Sequence, residues 1–89
     1  MLASPQVYRE RKFSFQMYFN DHPPPHIHVV RGTGHGAAVA KLWLRPVAIC
    51  AAKGFNESEL RWIHKMLKLR NDFFMEEWNA VQAKAKTRL

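Results

Sequence analysis

Apolar and polar residues alternate along the first half of the chain and recur with a helical period along the second half. Between residues 13 and 19 every second side chain is apolar, which is typical of a half-buried strand: Phe13, Phe15, Met17 and Phe19. Three prolines within residues 20–25 indicate a turn, since proline cannot donate to the ladder of a central strand. The apolar segments 26–30, 37–44 and 47–52 predict further strands.

A helical pattern follows Gly54. Asn56 and Glu59 have the spacing of a capping box, which predicts a helix start. Apolar residues at helical spacings then form one wide arc: Leu60, Ile63, Leu67, Phe74, Trp78 and Val81. Arg70 interrupts this arc, so a break is expected at residues 70–72, with Asn71 capping a second helix.

These elements predict an α+β fold. Short connections between successive strands favour an antiparallel meander of three or four strands, packed on one face by a C-terminal helix that is broken near Asn71. A chain of 89 residues suits one domain over 1–89. Within it, residues 1–8 are expected to be a loose arm, and the basic tail 84–89 is expected to fray.

Composition narrows the classes of protein. Lys and Arg number 14 against 7 acidic residues, a net charge of +7 that favours anionic partners such as nucleic acid. No signal peptide and no apolar run of about 20 residues is visible, so a cytoplasmic protein without a membrane segment is expected. The single cysteine, Cys50, fits a reducing compartment and is expected to be buried and inert, whereas His64 is expected to be solvated.

The most distinctive segment is Asn-Asp-His-Pro-Pro-Pro-His-Ile-His-Val, residues 20–29, which holds three of the five histidines. On a strand, His26 and His28 share one face with Cβ atoms about 7 Å apart, and both would point outward if Ile27 and Val29 face the helix. Three interpretations stay open. The histidines stabilise a turn, they perform acid–base or phosphate chemistry, or they bind a divalent metal in a set drawn from Asp21, His22, His26 and His28.

Alternation extends this outward face to the neighbouring strands. If the alanines and leucines of residues 38–44 face the core, one open surface carries a mixed aromatic and basic set: Tyr18, His26, His28, Lys41, Trp43 and Arg45. Aromatic rings among basic groups are what single-stranded nucleic acid requires, since bases stack and phosphates pair with cations. With the opposite choice of face on this strand, Trp43 lies in the core instead.

The same segments resemble a known family. They are the run from Tyr18 to Val29 with its Asp-His-x-Pro-Pro-His-Ile-His core, then Lys-Leu-Trp-Leu-x-Pro at 41–46, Lys-Gly-Phe at 53–55 and Glu-Leu at 59–60. The chain is similar in these segments, from about Phe13 to Trp78, to the small bacterial domain-of-unknown-function family numbered forty-one sixty. The resemblance implies a short cytosolic protein, often encoded beside a second small gene in a toxin–antitoxin-like arrangement. Many members carry an acidic residue where this chain has Arg45.

Three hypotheses of function follow. The first is a small binding or regulatory module without enzymatic activity or cofactor, one half of a two-gene system, that contacts a protein partner or RNA. The second is a metal-independent ribonuclease in which His26 and His28 act as base and acid while Lys41 or Arg45 stabilises the phosphorane. The third is a divalent-metal-binding protein. The sequence leaves the partner and the oligomeric state open.

Overall fold

The computed structural model describes residues 5–87, which form one five-stranded sheet and two helices. The strands are β1 (Gln6–Glu10), β2 (Phe13–Gln16), β3 (His26–Arg31), β4 (Ala38–Leu44) and β5 (Val47–Lys53), with a short 3₁₀ turn at Gly34–Gly36. Helices α1 (Glu57–Leu69) and α2 (Asn71–Thr87) follow. Within these residues neither helix has the length and apolar content needed to cross a membrane.

The sheet is an antiparallel meander in which each strand pairs with the next along the chain. The predicted α+β class is therefore confirmed, although the strand count is five rather than three or four. The additional strand is β1, which includes residues expected to be a loose arm. Tyr8 of this strand packs against Phe15 and against Phe73 and Phe74 of α2, so the arm is anchored in an aromatic cluster. The remaining part of the predicted arm, residues 1–4, lies outside the described residues.

The core lies between the inner face of the sheet and the two helices. Alternation places its members on that face as the sequence predicts: Phe13, Phe15, Ile27, Val29, Ala38, Ala40, Leu42 and Leu44 are all buried. Ile63, Leu67, Phe74 and Trp78 cover them from the helices. Because the inner face of β4 is fixed by its alanines and leucines, Val39, Lys41 and Trp43 occupy the outer face.

The helices begin and end where local side-chain bonds allow. At the start of α1 the Asn56 side chain accepts from the Glu59 N–H at 2.8 Å, while the Asn56 N–H donates to the Glu59 carboxylate at 3.0 Å. The predicted capping box is thus confirmed. The predicted break is present too, since α1 ends at Leu69 and α2 begins at Asn71. The tail expected to fray is helical as far as Thr87, and Arg88 and Leu89 lie outside the described residues.

The edge strand β5 departs from simple alternation. Ile49 pairs with Leu42 and Ala51 pairs with Lys41, which leaves Cys50 as the extra residue of a β-bulge. The expectation that Cys50 is buried is therefore wrong, because the thiol lies on an exposed edge strand. The expectation for His64 is also wrong: its Nε2 is 3.1 Å from the Val47 carbonyl, which ties α1 to the same strand.

Candidate functional site

The connection between β2 and β3 is held in place by hydrogen bonds that orient Asp21. The Tyr18 N–H donates to Asp21 Oδ2 at 2.9 Å, and the Asp21 N–H donates back to the Tyr18 carbonyl at 3.0 Å. From α2, the Gln82 side chain donates to the Asp21 carbonyl at 3.0 Å. One carboxylate oxygen is thereby used to close the turn, and the other, Oδ1, faces the start of β3.

Two imidazoles converge on that second oxygen. His28 Nε2 lies 3.4 Å from Asp21 Oδ1 and His26 Nε2 lies 3.5 Å from the same atom. The two rings are 5.2 Å apart at their centroids and nearly perpendicular. The three side chains are called the Asp21–His26–His28 cluster below, and each can offer one metal-ligating atom within 4.8 Å of the other two.

The tautomer of His26 follows from its surroundings. Its Nδ1 lies 2.9 Å from the Pro24 carbonyl oxygen, which can only accept, so Nδ1 carries the hydrogen. In a neutral ring Nε2 then presents a lone pair towards the Asp21 carboxylate. Lone pair and carboxylate repel each other unless a proton or a cation lies between them. The cluster therefore has a place for positive charge.

His26 lies in a different environment from His28, although both project from the same side of β3. Its ring contacts Trp43 at 5.8 Å and Trp78 of α2 at 5.1 Å between centroids, and the residue is only 4% exposed. The expectation that His26 lies open on the outer face is therefore wrong, because α2 and the 18–25 turn cover it. The His28 side chain keeps 30% exposure and touches the edge of the Tyr18 ring.

A shallow groove crosses the outer face of the sheet beside the cluster. Its volume is about 300 Å³, and its lining includes Tyr18, His28, Val39, Lys41, Ala51 and Lys53. Tyr18 and Val39 are exposed in this groove, whereas the apolar residues on the inner face of the sheet are buried. The groove thus combines an accessible aromatic ring, an imidazole and two ammonium groups on an otherwise apolar floor.

The region that holds these features is covered by a family match. The family model described as Domain of unknown function (DUF4160) matches residues 13–79. The chain belongs to the DUF4160 family. No curated protein and no solved structure matches it. The DUF4160 region contains the whole cluster and the groove, whereas Tyr8 of β1 and Gln82 of α2 lie outside it.

Some of the site residues predicted from the sequence of this DUF4160 chain lie together in the structure, and others do not. Tyr18, His28 and Lys41 meet at the groove. Trp43 is half-buried beside it, with Lys41 Nζ lying 4.8 Å from its ring centroid. His22 is exposed and is not a member of the cluster, so the four-residue metal set of the sequence is reduced to three.

Arg45 lies apart from the outer face. It is in the turn between β4 and β5, where its Nε donates to Asn71 Oδ1 at 3.2 Å and its guanidinium lies 3.7 Å from Asp72. The expectation that Arg45 belongs to the open face is wrong, because the start of α2 provides it with partners. Sequence reasoning instead missed Lys53 and Ala51, since the bulge at Cys50 decides which β5 side chains face the groove.

Proposed function

We propose that this DUF4160 protein is a small binding module that holds single-stranded RNA on the outer face of its sheet. The observation that carries the proposal is the groove, in which the exposed Tyr18 ring lies with Lys41 and Lys53 on a face that the helices leave open. A π-face and nearby cations are the two elements that sequence-tolerant binding of single strands uses. The groove volume of about 300 Å³ is at the lower end of ligand pockets and suits one base rather than several.

The contacts that each aromatic ring makes on the outer face of the sheet decide which ring is expected to stack with a base. Lys41 lies over Trp43 and His26 contacts the same indole, so a base would have to displace an existing contact. Tyr18 has His28 against its ring edge, its hydroxyl donates to Gln16 Oε1, and the residue is 38% exposed, so its ring face is accessible. Tyr18 is therefore the stacking residue of the proposal, and the net charge of +7 supplies the attraction for phosphate.

Binding is favoured over cleavage by the position of His26. A metal-independent ribonuclease needs a base and an acid that both reach the substrate. His26 is 4% exposed and its Nδ1 is engaged by Pro24, whereas only His28 borders the groove. The pair consequently lacks the accessibility that the ribonuclease hypothesis requires.

The test is a filter-binding titration of a short single-stranded RNA of mixed sequence with the wild type, Tyr18→Ala and Trp43→Ala, at low and at physiological salt. A stacked base contributes about 1–3 kcal/mol, so Tyr18→Ala should weaken binding about 5- to 150-fold at both salt concentrations. Trp43→Ala should have the smaller effect. Equal affinities of the wild type and Tyr18→Ala would contradict RNA stacking on this face. A stable complex with the product of a neighbouring gene, formed without RNA, would favour the protein-partner hypothesis instead.

A further inference from the structure

We propose that the Asp21–His26–His28 cluster binds one divalent transition-metal ion of the zinc class. The proposal does not depend on RNA binding, because it concerns the side of the cluster that faces the turn before β3. Two imidazole nitrogens and one carboxylate oxygen are a donor set that suits zinc better than magnesium or calcium, which prefer oxygen ligands alone.

Two of the three separations between the donors match a coordination shell, and all three are within 4.8 Å. Zinc bonds to nitrogen and oxygen of about 2.0–2.1 Å in a tetrahedron place neighbouring donor atoms about 3.3 Å apart. The two separations to Asp21 Oδ1 are 3.4 and 3.5 Å. The two imidazoles therefore approach the carboxylate at the distance that a shared ion imposes, and farther than the usual length of a direct charged hydrogen bond.

The groups behind the donors are arranged as they are in metal sites. A ligating histidine usually donates its second ring N–H to a carbonyl or carboxylate, which fixes the ring and directs the other nitrogen at the metal. His26 Nδ1 is 2.9 Å from the Pro24 carbonyl, and Asp21 Oδ2 is held by the Tyr18 N–H at 2.9 Å. Both supports come from the proline-rich turn, so the turn itself orients two of the three ligands.

The burial of the His26 and Asp21 side chains is a further reason to expect an ion between them. The side chains of His26 and Asp21 are 5% and 13% exposed, so little water reaches the point where the lone pair of the neutral His26 ring faces the carboxylate. A cation there neutralises the carboxylate and satisfies both Nε2 atoms at once. Three protein ligands would leave one position for water, as in zinc sites that are not closed.

Zinc titration of the full chain at neutral pH, with a competing chromophoric chelator, tests the proposal. We expect one equivalent to bind to the wild type and to His22→Gln, which removes an exposed histidine of the same segment. Asp21→Asn and His28→Gln should each weaken binding at least about tenfold. Asparagine keeps an acceptor for the Tyr18 N–H, so this variant preserves the turn. If the circular dichroism spectrum of Asp21→Asn differs from that of the wild type, the His28→Gln variant alone tests the proposal.

An NMR measurement locates the ion without any substitution. Long-range ¹H–¹⁵N spectra of the imidazoles should show zinc shifting Nε2 of both His26 and His28, while His26 Nδ1 stays protonated. Absence of saturable binding would overturn the proposal. Equal binding by the wild type, Asp21→Asn and His28→Gln would overturn it as well, as would loss of binding in His22→Gln.

Discussion

The ammonium group of Lys41 lies 4.8 Å from the centre of the Trp43 ring, on the outer face of the sheet. The two residues are separated by one position on β4, so alternation places them on the same face, but it does not place one over the other. A cation over an indole ring contributes about 0.5–1 kcal/mol at partly exposed sites. The contact therefore both stabilises the sheet and occupies the ring that the sequence offers for stacking.

A double-mutant cycle measures this contact. Lys41→Met keeps most of the aliphatic stem, and Trp43→Leu keeps an apolar residue beside His26. The coupling free energy from urea unfolding of the two single variants and the double variant should be about 0.5–1 kcal/mol. Lys53→Met, on the same face, serves as the control, and no coupling between it and Trp43→Leu is expected. A coupling near zero for Lys41 would leave the Trp43 ring free to stack.

Gly54 is required by the connection between β5 and α1. Its φ is +89°, and a Cβ atom there would lie 3.0 Å from Ala38 Cα and 3.1 Å from Ala38 Cβ. Both neighbours belong to a buried strand residue that cannot move aside. Gly54→Ala should therefore lower the free energy of unfolding by more than about 1 kcal/mol. Gly36→Ala is the matched control, since a Cβ there meets nothing within 4 Å; a similar loss in both variants would contradict this reason.

The capping box of α1 gives a second stability prediction. Asn56→Ala removes the side-chain acceptor of the Glu59 N–H and should cost about 1 kcal/mol in urea unfolding. Ser58→Ala, in the first turn of the same helix, controls for the change in helix propensity. If the two variants unfold at the same urea concentration, the capping bond contributes nothing measurable.

Cys50 provides a test of the bulge in β5. Because the thiol is exposed, it should react completely with a thiol reagent such as dithionitrobenzoate in the native protein, without denaturant. Reaction only on unfolding would mean that this strand is covered in solution, by another molecule or by a different register. A mass spectrum of the labelled protein identifies the site, since the chain has a single cysteine.

The sequence pattern predicts most of the inner face of the sheet, but it predicts the Asp21–His26–His28 cluster only in part. The alternation in 38–44 predicts which residues are buried, because period two leaves one choice once a face is apolar. In 13–19 it holds for Phe13, Phe15 and Met17, but Ser14 is buried as well and Phe19, beyond the end of β2, is exposed. The five residues of β1 carry too short a pattern, and their place depends on contacts of Tyr8 with α2. For the same reason no local pattern predicts the burial of His26 by Trp78, which is 52 positions farther along the chain. Strand geometry brings His26 and His28 together, but the turn decides that Asp21 joins them and His22 does not.

The salt dependence of RNA binding tests the groove lysines separately from stacking. Each phosphate that no longer pairs with a cation should reduce the slope of log K against log[salt] by about 0.7 for a single strand. Lys41→Gln and Lys53→Gln should each flatten the slope in this way, because both side chains line the groove. Arg45→Gln removes the same charge but should leave the slope nearly unchanged, since that guanidinium is bound to Asn71 and Asp72 at the start of α2.

The measurement is a series of titrations at four salt concentrations with one RNA. Equal flattening by all three variants would mean that the charge acts through the whole surface and that the groove has no special part. Flattening by Arg45→Gln alone would move the RNA to the β4–β5 turn. Only a slope that responds to Lys41 and Lys53, and not to Arg45, agrees with a strand bound along the groove.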